Sequence, residues 1–439
     1  MSVVPTRRLA LVVLALGVVL AVAPVPLPSV WAVAGILAAV AVLLTVGDAL
    51  AAVRPGALTL ERHHPPVVVA GTTATLEWVV RSDATRSVRL LVADELAPSL
   101  RAAARRFDVR VPAGDVVRVS TPFQPMRRGR FELARVAIRI VGPLGLGSRQ
   151  REVPLASVLR VHPPFRSRDD AELAIRRGRI LEVGLRSARG LGTGTEFEQL
   201  REYGPDDEFR RIDWTATARA GRPIVRTFRA ERNQTVVAVL DTGRVTAGRV
   251  AGVPRLEHAV DAVTALGEVA TRLGDRCGLV AFGRGIRAEV PPARRRDQVG
   301  RLTEAMYALE PELSESDYPT AFRHVLVRYR RRAMLVVLSD LLEPAVEDSL
   351  LPALPLVTRT HLVVVAGVRD PEVEAWAHGP ADDPESVHRR AAATTALADR
   401  RRTAARLRGL GVTVVDAAPG HLARELAEAY LLAKQTGRL

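Results

Sequence analysis

The sequence has almost no cysteine and almost no lysine. Cys277 is the only cysteine among 439 residues, so neither an internal disulfide bond nor a zinc site built from cysteines can form. It lies in the apolar run 277–282, which favours a buried thiol over a nucleophile. Lys434 is the only lysine and no G-x-x-x-x-G-K-S/T motif exists, which excludes nucleotide hydrolysis at a phosphate-binding loop of that type.

Patterns typical of hydrolases and of nucleic-acid-binding proteins are missing as well. No G-x-S-x-G elbow surrounds a serine, and the spacing of the nine histidines selects none of them as a catalytic base. The other 62 basic residues are arginines, and the net charge of +15 would suit nucleic acid or an anionic membrane surface. Because no helix-turn-helix, zinc-finger spacing or aromatic-basic strand motif accompanies this charge, we expect no nucleic acid as a partner.

Two nearly uncharged apolar runs lie near the start of the chain. They cover residues 9–25 and 30–46, and the proline-rich residues 24–29 separate them. At a rise of about 1.5 Å per residue, each run reaches the short end of the length that crosses a bilayer as a helix. The sequence therefore predicts a helical hairpin with the lipid bilayer as a partner.

The arginines around these runs predict the orientation of the hairpin. Arg7 and Arg8 precede the first run and Arg54 follows the second, whereas the connecting loop is uncharged. By the positive-inside rule, residues 1–56 form a two-pass transmembrane hairpin in the cell membrane, with both termini and the large domains cytoplasmic. The alternative is a signal peptide cleaved after residues 21–23, which the second apolar run disfavours.

The region after the hairpin has the alternating pattern of β-strands. Residues 73–80, 88–92 and 136–140 are strand-like, and turn signals containing glycine lie between them. Several short strands at this spacing predict an antiparallel β-sandwich over residues 57–161. No polar cluster in this region indicates catalysis.

From residue 235 onward, strand patterns alternate with helical patterns. The apolar runs of strand length are 235–240, 278–282, 333–338, 361–366 and 412–415. The helical patterns lie at 256–273, 297–309, 319–330, 385–407 and 421–434. This alternation predicts an α/β domain over residues 235–439 with a doubly wound, mostly parallel sheet. Ligands of such sheets bind at the carboxyl ends of the strands, where Asp241 and Asp340 lie.

A stretch dense in acids, arginines and aromatics, residues 192–228, precedes the first of these strands. Its sequence GTEFEQLREYGPDDEFRRIDWTATARAGRPIVRTF, followed by the strand VVAVLD, resembles the signature of the bacterial domain-of-unknown-function 58 family. The resemblance covers about residues 163–439, and residues 162–234 are taken as the segment that carries the signature. The resemblance implies a von Willebrand factor A-like C-terminal domain behind a membrane hairpin and a β-rich domain.

The resemblance also implies partners and a degenerate metal site. Family members resemble components that act with a MoxR-type AAA ATPase and with other membrane-anchored von Willebrand factor A-like proteins. In a von Willebrand-type domain a D-x-S-x-S motif, a loop threonine and a later aspartate hold a divalent cation. Asp241 and Asp340 match the two aspartates, and Asp317 and Thr320 lie where the loop ligand falls. Both serines are missing, because residues 242–245 read TGRV.

Several roles remain open for these residues and for the stretch 192–228. We expect no cofactor, with Mg²⁺ or Mn²⁺ at Asp241 and Asp340 as the alternative. Without a metal, Asp241 would cap the next helix or pair with an arginine. In residues 192–228 the charges either attach the stretch to the α/β domain through ion pairs or form a partner-binding surface. The residues assigned to that motif are Glu198, Arg201, Tyr203, Asp206, Asp207, Arg210, Arg211, Asp213, Trp214 and Arg226.

These patterns together predict a membrane-anchored, non-enzymatic factor for protein interaction or assembly. The alternative is a divalent-metal-dependent enzyme, or a metal-mediated adhesion module, that uses Asp241 and Asp340.

Overall fold

The computed structural model describes residues 2–22, 27–188, 196–204, 209, 212–229, 234–341, 346–380 and 382–439. They form two compact units, Met1–His162 and Pro163–Leu439. The mixed α/β class predicted from the sequence is confirmed, with antiparallel sheets in the first unit and an α/β sheet in the second. The first unit includes both the predicted hairpin and the predicted β-sandwich region.

The first unit begins with a short strand and two apolar helices. Strand β1 (Ser2–Pro5) leads into α1 (Arg7–Val22), and α2 (Leu27–Ala51) follows. Among the described residues, the helical span Trp31–Ala57 is long and apolar enough to cross a membrane, with a mean hydropathy of 2.4.

Two sheets make up the rest of the first unit. Their strands are β2 (Leu58–His63), β3 (Val67–Val69), β4 (Ala74–Ser82), β5 (Val88–Asp94), β6 (Arg106–Val111), β7 (Val116–Phe123), β8 (Gly129–Val141) and β9 (Gly147–His162). The larger sheet has the order β1-β9-β8-β5-β6 with β3 parallel to β9, and the smaller has the order β2-β4-β7. Trp78 of the smaller sheet and Ile140 and Leu159 of the larger are fully buried in one shared core. Two sheets around one core are the arrangement of a β-sandwich.

Strand β1 was not predicted from the sequence. It pairs with β9 from Ser2↔Gln150 to Pro5↔Gly147, so residues that precede the apolar runs complete the edge of the larger sheet. The segment is too short for an alternating pattern to be recognised.

The second unit contains a six-stranded sheet. Its strands are β12 (Thr235–Asp241), β15 (Arg276–Phe282), β16 (Ile286–Ala293), β17 (Met334–Leu338), β18 (Leu362–Val368) and β19 (Thr413–Ala417). The order is β16-β15-β12-β17-β18-β19, and every pair is parallel except β15 with β16. The five predicted strands are the five parallel ones, and the antiparallel edge strand β16 was not predicted.

Helices cover the sheet of the second unit. The helices that the structure describes there are α3 (Arg168–Ala188), α4 (Trp214–Ala220), α5 (Arg244–Ala247), α6 (Arg255–Arg272), α7 (Gln298–Met306), α8 (Tyr318–Arg328), α9 (Leu351–Thr358), α10 (Pro371–His378), α11 (Pro384–Gly409) and α12 (Leu422–Gln435). The buried strands contribute alternate residues to two separate cores, as in β12, where Val236 belongs to one core and Val237 to the other. A sheet buried on both faces explains why its strands read as continuous apolar runs.

Two small antiparallel pairs complete the second unit. Strands β10 (Glu196–Glu202) and β11 (Ile224–Arg229) pair with each other and enclose α4, while β13 (Arg249–Val250) pairs with β14 (Val253–Pro254). The charged stretch predicted from the sequence is therefore a hairpin of strands with a short helix in its connection.

Candidate functional site

Asp241 lies at the carboxyl end of β12, a central strand of the six-stranded sheet. Its side chain is fully buried and accepts four hydrogen bonds. Oδ1 accepts from the backbone N–H of Gly243 at 2.8 Å and from the Ser316 hydroxyl at 2.5 Å. Oδ2 accepts from the Tyr318 hydroxyl at 2.6 Å and from the Ser339 hydroxyl at 2.7 Å. A buried carboxylate without a cation partner requires such a set of donors to offset its lost hydration.

The hydroxyls that the D-x-S-x-S pattern lacks are thus supplied by other segments. Ser316 comes from the loop before α8, and Ser339 directly follows β17, the neighbour of β12. A Cβ atom at Gly243 would overlap Ser316 Oγ and lie 2.9 Å from the Ser314 carbonyl oxygen. Ser316 therefore occupies the space that a serine at position 243 would need.

Tyr318 is fixed as a hydrogen-bond donor in this cluster. Burial raises the pKa of Tyr318 well above its usual 10.0, and the negative charge of Asp241 is the second largest cause of this rise. The protonated phenol donates to Asp241 and also lies 2.7 Å from Ser339 Oγ. The ring packs edge-on against Phe282, with centroids 5.2 Å apart.

A cavity of about 90 Å³ opens beside Asp241. Glu315, Asp348 and Arg244 line it together with Asp241 and Ser316. Arg244 Nη2 lies 3.3 Å from Glu315 Oε1, so the arginine is directed to a neighbouring acid as well as to the cavity. Three carboxylates and one guanidinium give this cavity a net negative charge.

Asp340 is engaged by arginines rather than by the cluster at Asp241. Arg400 Nη1 donates to Asp340 Oδ1 at 2.7 Å, and Arg255 Nε lies 2.9 Å from Oδ2 in an ion pair. Arg400 also donates to Asp416 at 2.8 Å through Nη2. Burial alone would lower the pKa of Arg400, but the charges of Asp340 and Asp416 outweigh it and raise the pKa.

Asp317 and Thr320 have a local structural role. Asp317 is the N-cap of α8, and its carboxylate accepts from the Thr320 N–H at 2.9 Å. The hydrogen bonds from the side chain and the backbone of Thr320 lower the pKa of Asp317 below its usual 3.8. The loop residue that reaches Asp241 is instead the neighbouring Ser316.

The donor set suits a divalent cation only in part. Asp241, Ser316 and Ser339 offer the oxygen atoms that Mg²⁺ and Mn²⁺ prefer. Asp340 is neutralised by two guanidinium groups, so it would not supply the second negative charge. Within the described ranges no group of three or more His, Cys, Asp or Glu side chains is arranged to hold a metal ion.

The described residues of the charged stretch 192–228 differ in their contacts and in their exposure. Asp213 caps α4 by accepting from the N–H groups of Thr215 and Ala216. Trp214 and Phe209 pack edge-on with centroids 5.6 Å apart, and they are 60% and 68% exposed. Tyr203 is 36% exposed.

The ion pairs described in this stretch are local. Glu202 pairs with Arg222, and Arg201 donates to the Glu202 carbonyl oxygen at 3.0 Å. Asp206, Asp207, Arg210 and Arg211 lie outside the described residues, as do the side chains of Glu198 and Arg226. The backbone of Arg226 pairs with Leu200 between β10 and β11.

Sequence reasoning did not identify Ser316, Ser339 or Tyr318 as partners of Asp241. Ser339 carried one usable signal, because it follows a predicted strand directly and so lies at the same sheet edge as Asp241. Ser316 and Tyr318 flank Asp317 in the segment where the loop ligand was expected, but nothing in the sequence distinguishes them from Asp317 and Thr320 as the residues that reach Asp241.

Comparison with known proteins identifies uncharacterised relatives. The family model described as "Protein of unknown function DUF58" matches residues 199–408. The uncharacterized protein Rv1480 of Mycobacterium tuberculosis and the uncharacterized protein Mb1516 of Mycobacterium bovis are each 30% identical over 227 residues. Each alignment covers 48% of this chain and 70% of the relative.

The solved structures to which the chain is similar in part include the following two. The CARDB domain of the PF1109 protein from Pyrococcus furiosus is 15% identical with a TM-score of 0.17, covering 24% of this chain and 86% of that one. A protein of unknown function from Porphyromonas gingivalis W83 is 15% identical with a TM-score of 0.20, covering 25% of this chain and 50% of that one.

Proposed function

Because this chain belongs to the DUF58 family of proteins of unknown function, we propose that it is a membrane-anchored, non-enzymatic factor for protein interaction or assembly. Its proposed partner is a MoxR-type AAA ATPase, with other membrane-anchored von Willebrand factor A-like proteins in the same assembly. Its proposed location is the cell membrane, with two passes and cytoplasmic domains.

Several features support the anchoring and the fold type in this proposal. The apolar helices α1 and α2 have the composition of a membrane hairpin, and arginines flank them on one side only. The sheet order of the second unit, with β12 central and one antiparallel edge strand, supports a von Willebrand factor A-like domain. The carboxyl edge of such a sheet is where ligands bind.

The exposed aromatic pair Phe209 and Trp214 carries the interaction proposal. Large aromatic side chains are enriched among the residues that dominate binding energy at protein interfaces. Both rings are mostly exposed although they contact each other. An exposed aromatic pair suits a protein partner, because aromatic residues are enriched at protein interfaces.

The test is recovery of the ATPase from membranes. Tagged full-length chain, crosslinked and solubilised, is expected to recover an AAA ATPase, and Trp214→Ala is expected to reduce recovery about tenfold or more. Trp376→Ala is the matched control, because Trp376 is a 42% exposed tryptophan elsewhere in the second unit. Repeated absence of an AAA ATPase from the wild-type sample would refute the partnership, and equal recovery by both variants would refute the surface.

The second candidate is a metal-mediated adhesion module or a metal-dependent enzyme, now centred on Asp241 with Ser316 and Ser339. Three oxygen-bearing side chains within 2.5–2.7 Å of one carboxylate favour it. Calorimetry with Mg²⁺ or Mn²⁺ would detect binding that Asp241→Asn abolishes and Asp317→Asn retains. If calorimetry detects no heat of binding at millimolar metal, this candidate is excluded.

A further inference from the structure

The outer face of the larger sheet in the first unit holds a cavity of about 850 Å³. Five arginines line it: Arg7, Arg8, Arg89, Arg106 and Arg139. Asp108 is the one carboxylate among its lining residues in the described part of the chain. An adjoining cavity of about 130 Å³ shares Arg8 and Arg89 and adds Arg86 and Arg110. The two cavities therefore form one strongly cationic hollow.

Within the described part of the chain, several of these guanidinium groups have no acidic partner. Asp108 pairs with Arg89 at 2.6 Å, and Arg139 donates to the neutral Gln150 at 2.8 Å. Across the ranges that the structure describes, Arg7, Arg8, Arg106 and Arg110 make no ion pair with a carboxylate. An anion in the hollow would therefore meet unneutralised positive charge.

The floor of the hollow is apolar. On the exposed face of β5 and β8, aliphatic side chains alternate with arginines, so that Leu91 lies opposite Arg139 and Val141 lies opposite Arg89. Leu91, Ala137 and Val141 all line the larger cavity. A ligand that carries a phosphate together with carbon-rich atoms matches this surface better than a free inorganic anion does.

The hollow adjoins the points where the two apolar helices meet the sheets. The N–H of Thr6, just before α1, donates to the Leu146 carbonyl oxygen at 3.1 Å. Near the end of α2, the Asp48 carboxylate accepts from the N–H groups of Leu144, Leu146 and Gly147 at 2.7–2.9 Å. Gly145 belongs to the same loop and lines both cavities. If α1 and α2 span a bilayer, this loop and the hollow lie at its surface.

We propose that this arginine hollow binds the headgroup phosphate of an anionic phospholipid in the leaflet from which α1 and α2 emerge. The proposal rests on the membrane anchoring proposed above. The arginines bind the phosphate, and the aliphatic floor contacts the glycerol region. Cytoplasmic leaflets are anionic, which agrees with the arginines that flank the hairpin.

The test uses the full-length chain in nanodiscs of phosphatidylcholine, with or without phosphatidylglycerol, and measures the thermal unfolding of the first unit. We expect phosphatidylglycerol to raise the melting temperature of the wild type. The double variant Arg106→Gln/Arg139→Gln is expected to lose that rise and to bind the anionic lipid about thirtyfold more weakly. The control Arg81→Gln/Arg118→Gln removes the same charge from exposed positions on the smaller sheet and is expected to retain the rise.

Three outcomes would overturn the headgroup site. The first is an equal rise in melting temperature for both double variants. The second is a rise for the wild type with millimolar inorganic phosphate that equals the rise with the anionic lipid. The third is a rise with a single-stranded oligonucleotide that is larger than the rise with the anionic lipid. Alkaline carbonate extraction of the same membranes tests the anchor separately. Extraction of the chain would refute the anchoring, whereas retention in the membrane without a lipid preference would refute the headgroup site alone.

Discussion

The hydroxyl of Ser339 donates a 2.7 Å hydrogen bond to the carboxylate of Asp241, although the two residues are 98 positions apart in the sequence. Their strands, β17 and β12, are parallel neighbours, so their carboxyl ends lie at one edge of the sheet. Ser316 and Tyr318 complete the set of hydroxyls around the same carboxylate. Asp241 is therefore the centre of a hydroxyl cluster, and the ion pairs of this sheet edge are made by Asp340.

Restoring the serine of the D-x-S-x-S pattern is expected to harm the protein. Gly243→Ser would place a side chain on Ser316 Oγ and against the Ser314 carbonyl oxygen, which should cost about 1–3 kcal/mol of unfolding free energy. Urea denaturation measures the change. Gly300→Ser is the control, since a Cβ there meets nothing within 4 Å. A Gly243→Ser variant as stable as wild type would contradict the packing of this loop.

Removing the guanidinium of Arg400 is expected to be strongly destabilising. Arg400→Met would leave Asp340 with Arg255 as its remaining ion-pair partner and would remove the Arg400 partner of Asp416. Removing one partner of a buried ion pair costs about 3–5 kcal/mol. Arg402→Met is the matched control because Arg402 is largely exposed. Equal denaturation midpoints for the two variants would contradict a stabilising role for the Arg400 pairs.

Asp317, the N-cap of α8, is expected to contribute to the free energy of unfolding by an amount that depends on pH. The folded-state pKa of Asp317 is lowered, so the cap stabilises fully above the usual carboxyl pKa of 3.8 and is lost as pH falls through the lower folded value. Asp317→Ala should cost about 1 kcal/mol near neutral pH. That cost should shrink at strongly acidic pH, as measured by urea denaturation of both proteins across the range. A cost independent of pH would mean that the charge of Asp317 contributes nothing.

The thiol of Cys277 is expected to report unfolding. Burial raises its pKa to about 12, and its side chain is fully inaccessible. A disulfide reagent at pH 8 should therefore label the native protein at the rate of opening and the urea-unfolded protein at the rate of a free thiol. Rapid labelling of the native state would contradict the burial of β15.

Parts of the fold were predictable because of local patterning. The five parallel strands are buried on both faces, and continuous runs such as Thr235–Asp241 reveal that burial directly. Helix α9 escaped prediction because Pro352 and Pro355 lie within it, and α3 because arginines obscure its few buried positions, including Ala171 and Ile175. Strand β16 escaped because Pro291 and Pro292 lie within it, which only an edge strand tolerates.

The sequence located the candidate site at Asp241 but did not identify the partners of its carboxylate. The position of Asp241 after an apolar run is a local property, and Ser339 shares that property because it follows β17 directly. Ser316 and Tyr318 reach Asp241 only through the tertiary packing of the segment at the start of α8. Asp340 is the second acid expected from the pattern, but a sequence cannot show that Arg255 and Arg400 approach it from two separate helices.

The three hydrogen bonds that Asp48 accepts from the loop at residues 144–147 have a mechanical consequence for the first unit. A Cβ at Gly142 or Gly147 would overlap the backbone of α2, so helix and loop touch without a spacer. No flexible tether separates α2 from the larger sheet at this point. If α2 spans a bilayer, as proposed above, a change in its tilt would turn the sheets with it, and the thickness of that bilayer would set the angle of the sheets to its surface.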